Sequence, residues 1–192
     1  MTKNIVVFQS SGRRHGNSNI LAEQAATGAA EAGAKVDNFY LSSMDIRGCT
    51  GCDACLKTGE CVIKDDMRQV YPKMLTANAL ILSTPIYWSS YSGVLKTCID
   101  RWYALWNRQR DLFKNIPVGI IMTFGDTDVY TSGAINAIHS FESMFRFTQA
   151  NIAGWVYGSL SDIGDAQKSD RLMAEAYQLG KSLVDLASET KE

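Results

Sequence analysis

Only two histidines, His15 and His139, occur among the 192 residues of this chain, so imidazole-based nucleophile activation has almost no partners to draw on. A marked excess of either charge is missing as well. Nineteen Lys and Arg against twenty Asp and Glu leave a net charge of −1, without the basic excess that marks a nucleic-acid surface. No apolar run is long enough to cross a bilayer. The opening stretch Ile5-Val6-Val7-Phe8 is too short for a signal peptide and lacks its flanks. The expectation is a cytoplasmic protein that engages neither nucleic acid nor membrane. No internal repeat, low-complexity segment or linker interrupts the chain, and residues 1–192 read as one domain.

What is present is apolar residue, 46% of the chain, enough for a sizeable core, laid out in alternating strand and helix patterns. Strands are expected at Ile5–Gln9, Lys35–Leu41, Ala79–Ser83, Pro117–Phe124 and Ile152–Tyr157. The central ones are continuous apolar runs, as strands buried on both faces require. Helices are expected at Ile20–Ala32, from Asp65 or Asp66 to about Leu75, and at Ser89–Asn107, Thr131–Ala150 and Asp165–Ser188. Gly33 would close the first, and Pro72 would kink or split the second. Thr84-Pro85 would end the third strand. This alternation predicts an α/β fold, a parallel sheet covered by helices on both faces. A ligand would then sit beyond the C-terminal strand ends, at the switch in strand order.

That rule points to the loops after the first, third and fourth strands. The first reads Ser10-Ser11-Gly12-Arg13-Arg14-His15-Gly16-Asn17-Ser18-Asn19. Small hydroxyls, glycines and arginines stand between a buried strand and a helix N-terminus, whose free N–H groups favour a phosphate. The Gly-Lys-Ser/Thr ending of a Walker loop and the G-x-G-x-x-G fingerprint are both absent here. The stretch from Ser11 to Ser18 resembles the phosphate loop of the NADPH-dependent FMN reductase family, G-S-x-R-x-x-G-N-[ST], with Ser10 where the family usually has glycine. The resemblance implies that Ser11, Arg13, Asn17 and Ser18, with the adjacent Asn19, hold the FMN phosphate.

The loop after the third strand, Thr84-Pro85-Ile86-Tyr87-Trp88-Ser89, offers the flat aromatic surface that an isoalloxazine ring needs, or simply covers the sheet edge. Together with Ser92-Gly93-Val94-Leu95-Lys96 and Ile99-Asp100-Arg101 it is similar to the family's T-P-[IV]-Y-x-x-x-x-[SG]-x-[LM]-K-x-x-[IL]-D-R segment. Pro85, Ile86, Tyr87, Trp88 and Ser89 are thereby implied as flavin contacts. Gly125 and Asp126, in the loop after the fourth strand, would border the other edge of the ring. The fold implied is a flavodoxin-like three-layer sandwich, a five-stranded parallel sheet in the order 2-1-3-4-5.

Four of the five cysteines, Cys49, Cys52, Cys55 and Cys61, form C-x2-C-x2-C-x5-C. So compact a run can enclose a [4Fe-4S] cluster and is shorter than the usual zinc spacing. The alternative is a tight loop of buried or oxidisable thiols. The spacing resembles that of the iron–sulfur flavoproteins, a branch of the same wider family. Cys98 reads as a small core residue.

No side chain is required as a catalytic acid or base. The resemblance implies an FMN-dependent NAD(P)H oxidoreductase serving a quinone, flavin or similar small acceptor. The alternative is an electron-transfer relay through FMN and a [4Fe-4S] cluster with a ferredoxin-like partner. The aromatic run Trp102-Tyr103-Ala104-Leu105-Trp106 is core or a subunit contact, and the resemblance implies a homodimer or homotetramer.

Overall fold

The computed structural model describes residues 2–189. Strands β1 (Asn4–Gln9), β2 (Lys35–Tyr40), β3 (Ala79–Tyr87), β5 (Pro117–Phe124) and β6 (Asn151–Ser159) form one parallel sheet in the order β2-β1-β3-β5-β6. These five strands, numbered by themselves, have the expected order 2-1-3-4-5. A sixth, β4 (Ser90–Tyr91), was not anticipated and pairs antiparallel with the end of β3.

The side-chain alternation of each strand divides the interior into two layers. Val6, Phe8, Leu80, Leu82, Val118, Ile120 and Met122 face one side. There they meet helices α3 (Met67–Leu75), α4 (Gly93–Arg101), α5 (Tyr103–Arg108) and α6 (Ala134–Thr148). Ile5, Val7, Ala79, Ile81 and Ile121 face the other side, against α1 (Asn17–Glu31) and α7 (Asp170–Glu189). A short helix α2 (Ala54–Thr58) lies within the cysteine segment.

Helices α1 and α7 cross in close contact because both carry small residues where they meet. A Cβ on Gly28 would strike the Tyr177 carbonyl, and one on Gly180 would strike the Ala25 carbonyl. Replacing a mid-helix glycine by alanine ordinarily gains about 1 kcal/mol. At Gly180 the added methyl must push two backbones apart, an overpacking cost of about 1–3 kcal/mol. Gly180→Ala is therefore expected to lower the melting temperature by several degrees, where an open helix position would raise it.

Several expectations shift. The third strand does not stop at Thr84-Pro85. Pro85 pairs in register with Thr123, and β3 continues to Tyr87. The helix expected over Ser89–Asn107 begins only at Gly93, where the Ser92 hydroxyl accepts the Leu95 N–H. It also breaks at Trp102, whose ring turns inward to stack on Phe113 and to lie tilted against Phe8. The first helix begins three residues before Ile20, at Asn17, drawing Asn17, Ser18 and Asn19 at the end of the phosphate-loop motif into its first turn. Pro72 sits inside α3, which runs unbroken from Met67 to Leu75.

Candidate functional site: a cleft at the strand ends

The switch point lies between β1 and β3, where the chain crosses the sheet in opposite directions. A cleft opens beyond their C-terminal ends. It is lined by Ser11, Arg13, Gly16, Asn17 and Ser18 on one side, Pro85, Ile86 and Tyr87 on a second, and Thr123, Phe124 and Gly125 on a third. Leu160, Ser161 and Ile163 complete the wall.

The phosphate-loop side is built from inside. Asn19 is fully buried, and its side chain spans the loop. Its Oδ1 accepts the Ser11 N–H at 3.3 Å, and its Nδ2 donates to the carbonyls of Arg13 and Arg14 at 3.2 and 3.3 Å. It braces the loop and does not line the cleft. Ser11 Oγ accepts the Arg13 N–H at 3.2 Å. Gly16 admits that hydroxyl, since a Cβ there would collide with Ser11 Oγ. Ser10, in the place of the family's glycine, donates to the Ser83 carbonyl at 2.8 Å and accepts from Ser92 Oγ at 2.9 Å. It thereby ties the loop to the start of α4.

Two features of this side call for an anion. Helix α1 has Gly16 at its N-cap and no side-chain cap, so the N–H groups of its first turn are free. The Ser18 hydroxyl is buried with no hydrogen-bond partner, which costs about 1–3 kcal/mol unless a ligand satisfies it. Arg13 stands exposed at the rim. Arg14 turns away, its guanidinium 4.7 Å from the Tyr40 ring centroid. An orphaned hydroxyl, an uncapped helix terminus and an arginine fit the terminal phosphate of FMN.

Asn17 does something the sequence did not reveal. Its Nδ2 donates to the Asp162 carbonyl at 2.8 Å, while its Oδ1 accepts the N–H groups of Gly164 and Ala166 at 3.1 Å each. The side chain fastens the loop after β6 against the cradle, and that loop carries Leu160, Ser161 and Ile163. Asn17→Ala is expected to free this wall and weaken FMN binding about tenfold, for about 1.4 kcal/mol of lost support, as read by flavin fluorescence titration.

The ring side has a strained tip. Trp88 and Ser89 link Tyr87 to Ser90 in a two-residue hairpin, with φ of 48° and 62°. Positive φ at both positions is the geometry of a type I′ turn, which ordinarily selects Asn and Gly. Helix α6 holds the tip down. Asn136 Nδ2 donates to the Ser89 carbonyl at 3.3 Å, and a Cβ on Gly133 would collide with Ser89. Trp88 is wholly exposed and Tyr87 is 48% exposed. Tyr87 lines the cleft, whereas Trp88 and Ser89 project beyond it.

On the third side Gly125 leaves open space toward the cleft. Asp126 is exposed outside the lining, its carboxylate accepting the Thr127 N–H at 2.8 Å. Asp128 turns this loop by accepting the N–H groups of Thr131 and Tyr130, which hold its carboxyl below the usual range. His15 and His139 are both exposed and away from the lining.

The cysteine segment lies apart, between β2 and α3. Cys49 and Cys52 are exposed, Cys55 is buried and Cys61 is partly buried. The Ala54 N–H, followed by the Thr50 hydroxyl, holds the Cys52 thiol below its ordinary value. Asn107 Nδ2 lies 3.8 Å from Cys55 Sγ. Among the described residues no three His, Cys, Asp or Glu side chains gather around a single ion position. Four thiols are the donor set that a [4Fe-4S] cluster takes, one on each iron. The segment that carries them turns through left-handed residues at Gly51, Asp53 and Gly59. Cys98 is fully buried beside Met67, and burial pushes its thiol up to about 12.

A doubly wound parallel sheet with a phosphate cradle at its switch point defines a flavodoxin-like, FMN-binding protein. The chain belongs to the NADPH-dependent FMN reductase family, whose sequence model matches residues 3–159. It is 27% identical to an iron–sulfur flavoprotein of Methanocaldococcus jannaschii over 98% of this chain and 99% of that one. It is 28% identical to YwqN of Bacillus subtilis, whose name describes an NAD(P)H-dependent FMN-containing oxidoreductase, over 92% and 96% of the two chains. Two further archaeal iron–sulfur flavoproteins are matched over only 57% and 40% of their length. The solved structure of the Trp repressor binding protein from Bacillus subtilis superposes with a TM-score of 0.69 at 26% identity, covering 92% of this chain and 99% of that one. The family is one of flavin-dependent oxidoreductases, with FMN as cofactor and NAD(P)H as reductant.

Proposed function

We propose that this protein is an FMN-dependent NAD(P)H oxidoreductase that passes electrons to a small acceptor such as a quinone or a flavin. The observation that carries the reading is the buried, unpartnered Ser18 hydroxyl at the uncapped N-terminus of α1, in a cleft continuous with Pro85–Tyr87 and Gly125. FMN, when bound, accepts a hydride from the nicotinamide and releases electrons to the acceptor. The chain's own contribution is positional. Ser11, Ser18, Arg13 and the first turn of α1 hold the phosphate end. Pro85, Ile86 and Tyr87 offer one wall to the ring and Thr123–Gly125 the other. No described side chain lining the cleft is a histidine, aspartate or glutamate, so protons exchange with solvent at the open face.

The test is anaerobic titration of FMN-loaded protein with NADPH and then NADH, followed by loss of the oxidised-flavin absorption. Stoichiometric bleaching by either nucleotide, and recovery on adding a quinone, is the expected result. Flavin that neither nucleotide reduces would overturn the reading.

A second reading, a relay through FMN and a [4Fe-4S] cluster held by Cys49, Cys52, Cys55 and Cys61, is favoured by the cysteine spacing and by the end-to-end match to a protein named an iron–sulfur flavoprotein. Its partner would be a ferredoxin-like carrier. Iron and acid-labile sulfide assayed on protein purified without oxygen decide it. About four of each per chain supports the relay; iron-free flavoprotein after reconstitution removes it. Self-association belongs to the same proposal, with Tyr103, Trp106 and Phe147 as a partly exposed aromatic surface, and is read by sedimentation. Among the described residues no helix is long and apolar enough to cross a membrane.

A further inference from the structure

Arg101 is the largest side chain buried at less than 2% exposure, and the flavin cleft makes no use of it. It ends α4, yet its guanidinium reaches into the base of the cysteine segment. Nη1 donates to the Arg47 carbonyl at 2.7 Å and to Asp65 Oδ2 at 2.5 Å. Nη2 donates to Asp65 Oδ1 at 3.2 Å, to the Ile63 carbonyl at 3.5 Å and to Cys61 Sγ at 3.3 Å. Asp65 Oδ2 also accepts the Arg47 N–H at 3.0 Å. Residues 47 and 63 bracket Cys49–Cys61, so one guanidinium grips the segment where it enters and where it leaves.

This arrangement is costly for a merely structural strut. Burying a charge is repaid only when every donor finds a partner, and the Arg101 Nε–H is buried without one. A guanidinium is charged at every physiological pH, and here the two Asp65 carboxylate oxygens face it at 2.5 and 3.2 Å as its counter-ion. A permanent cation whose N–H points at a cysteine sulfur stabilises negative charge on that sulfur, and hydrogen bonds to ligand sulfurs set the potential of an iron–sulfur centre.

We propose that Arg101 is the positioning residue of the iron–sulfur site, closing the ends of the cysteine segment and, through its N–H to Cys61 Sγ, raising the reduction potential of the cluster. The inference rests on the cluster reading. Asp65 is the counter-ion that keeps the compensation by Arg101 partial.

The test uses holoprotein purified without oxygen, with FMN content, iron content and the cluster midpoint potential measured on each sample. Arg101→Lys keeps the charge, but a point-charge ammonium cannot hold the planar fork. It is expected to retain FMN, to lose at least half of its iron, and to shift the remaining cluster to more negative potential. Asp65→Asn keeps Arg101 beside Cys61 and removes the competing anion. It is expected to retain iron and to shift the potential the opposite way. Loss of packing would move both variants in the same direction, so opposite signs distinguish tuning from structure. Four irons at wild-type potential in both variants would overturn the inference alone. Loss of FMN together with iron in both would overturn it in favour of a plain structural strut. Wild-type protein that holds FMN and no iron after reconstitution would overturn the cluster reading beneath it.

Discussion

Ser18→Asp is expected to yield a folded protein that no longer retains FMN. The new carboxylate would occupy the place of the orphaned hydroxyl, in the first turn of α1, where the terminal phosphate of FMN is to be held. Two like charges brought together in a buried site cost several kcal/mol, and a loss of about 3–4 kcal/mol is roughly a 100- to 1,000-fold weaker complex. The apoprotein responds with the other sign. An acidic side chain near a helix N-terminus contributes about 0.3–1 kcal/mol of stability, and here the N–H groups it meets have no side-chain cap to compete with it. A fluorescence titration with FMN and a thermal melt of the apoprotein check the two halves separately. Lost affinity with an unchanged or raised melting temperature marks the terminus as built for a ligand. Retained affinity would move the phosphate elsewhere in the cleft. Ser18→Ala serves as the mild companion: it removes one hydrogen bond to a charged group, for about 1.5–3 kcal/mol.

Acid sensitivity follows from Asp65. Burial would raise its carboxyl, but the Arg101 hydrogen bond and the Arg47 N–H outweigh it and hold the group below its ordinary value. A carboxyl depressed in the folded state contributes stability that is complete above its unfolded pKa and is lost as pH falls through the folded one. Stability from this pair is therefore expected to persist at neutral pH and to decline below about pH 4. Asp65→Asn should flatten that acid limb in urea melts collected from pH 7 downward.

The two buried layers were legible in the sequence because continuous apolar runs such as Ile5–Phe8 and Ala79–Leu82 are what strands buried on both faces require, whereas the strand order came from the family resemblance alone. The cleft was legible through three loops and not through the fourth. Ser161 and Ile163 carry no local signal; they reach the cleft because Asn17 holds their loop with three hydrogen bonds. Asn17, Ser18 and Asn19 look alike in a motif, but their side chains part ways once the helix begins. Asn17 turns to the outer loop, Ser18 to the cleft, and Asn19 into the bracing of the backbone. Arg101 stands in the sequence only as the end of a family segment, because its anchors, Arg47, Cys61 and Asp65, lie far upstream in the chain, a separation that no helical periodicity can register. The hairpin at Trp88–Ser89 was hidden for the opposite reason. Its residues are poor turn formers, and the conformation is imposed by α6.

That imposed conformation makes Gly133→Ala the second large effect. Gly133 has φ of 73° and its missing side chain is the space into which Ser89 packs. Alanine brings a left-handed penalty of about 1–2 kcal/mol and a collision with both the side chain and Cα of Ser89. The core of α6 is well anchored by Phe141 and Phe145, fully or nearly fully buried, so the hairpin tip is the side that yields. Trp88 and Ser89 each sit at a positive φ that costs of order 1–3 kcal/mol and persists only while neighbours enforce it. Once Gly133 stops enforcing it, the tip relaxes and Tyr87 leaves the cleft wall. Binding of the phosphate end is untouched, since Ser11, Arg13 and Ser18 lie on the far side. Gly133→Ala is thus expected to bind FMN within about tenfold of wild type, a change of at most about 1.4 kcal/mol. The visible circular dichroism of the bound flavin and the rate of its reduction by NADPH should change markedly, with the melting temperature down by several degrees. A variant that loses stability while the flavin spectrum and reduction rate stay at wild-type values would show that the strained turn serves the fold and not the ring.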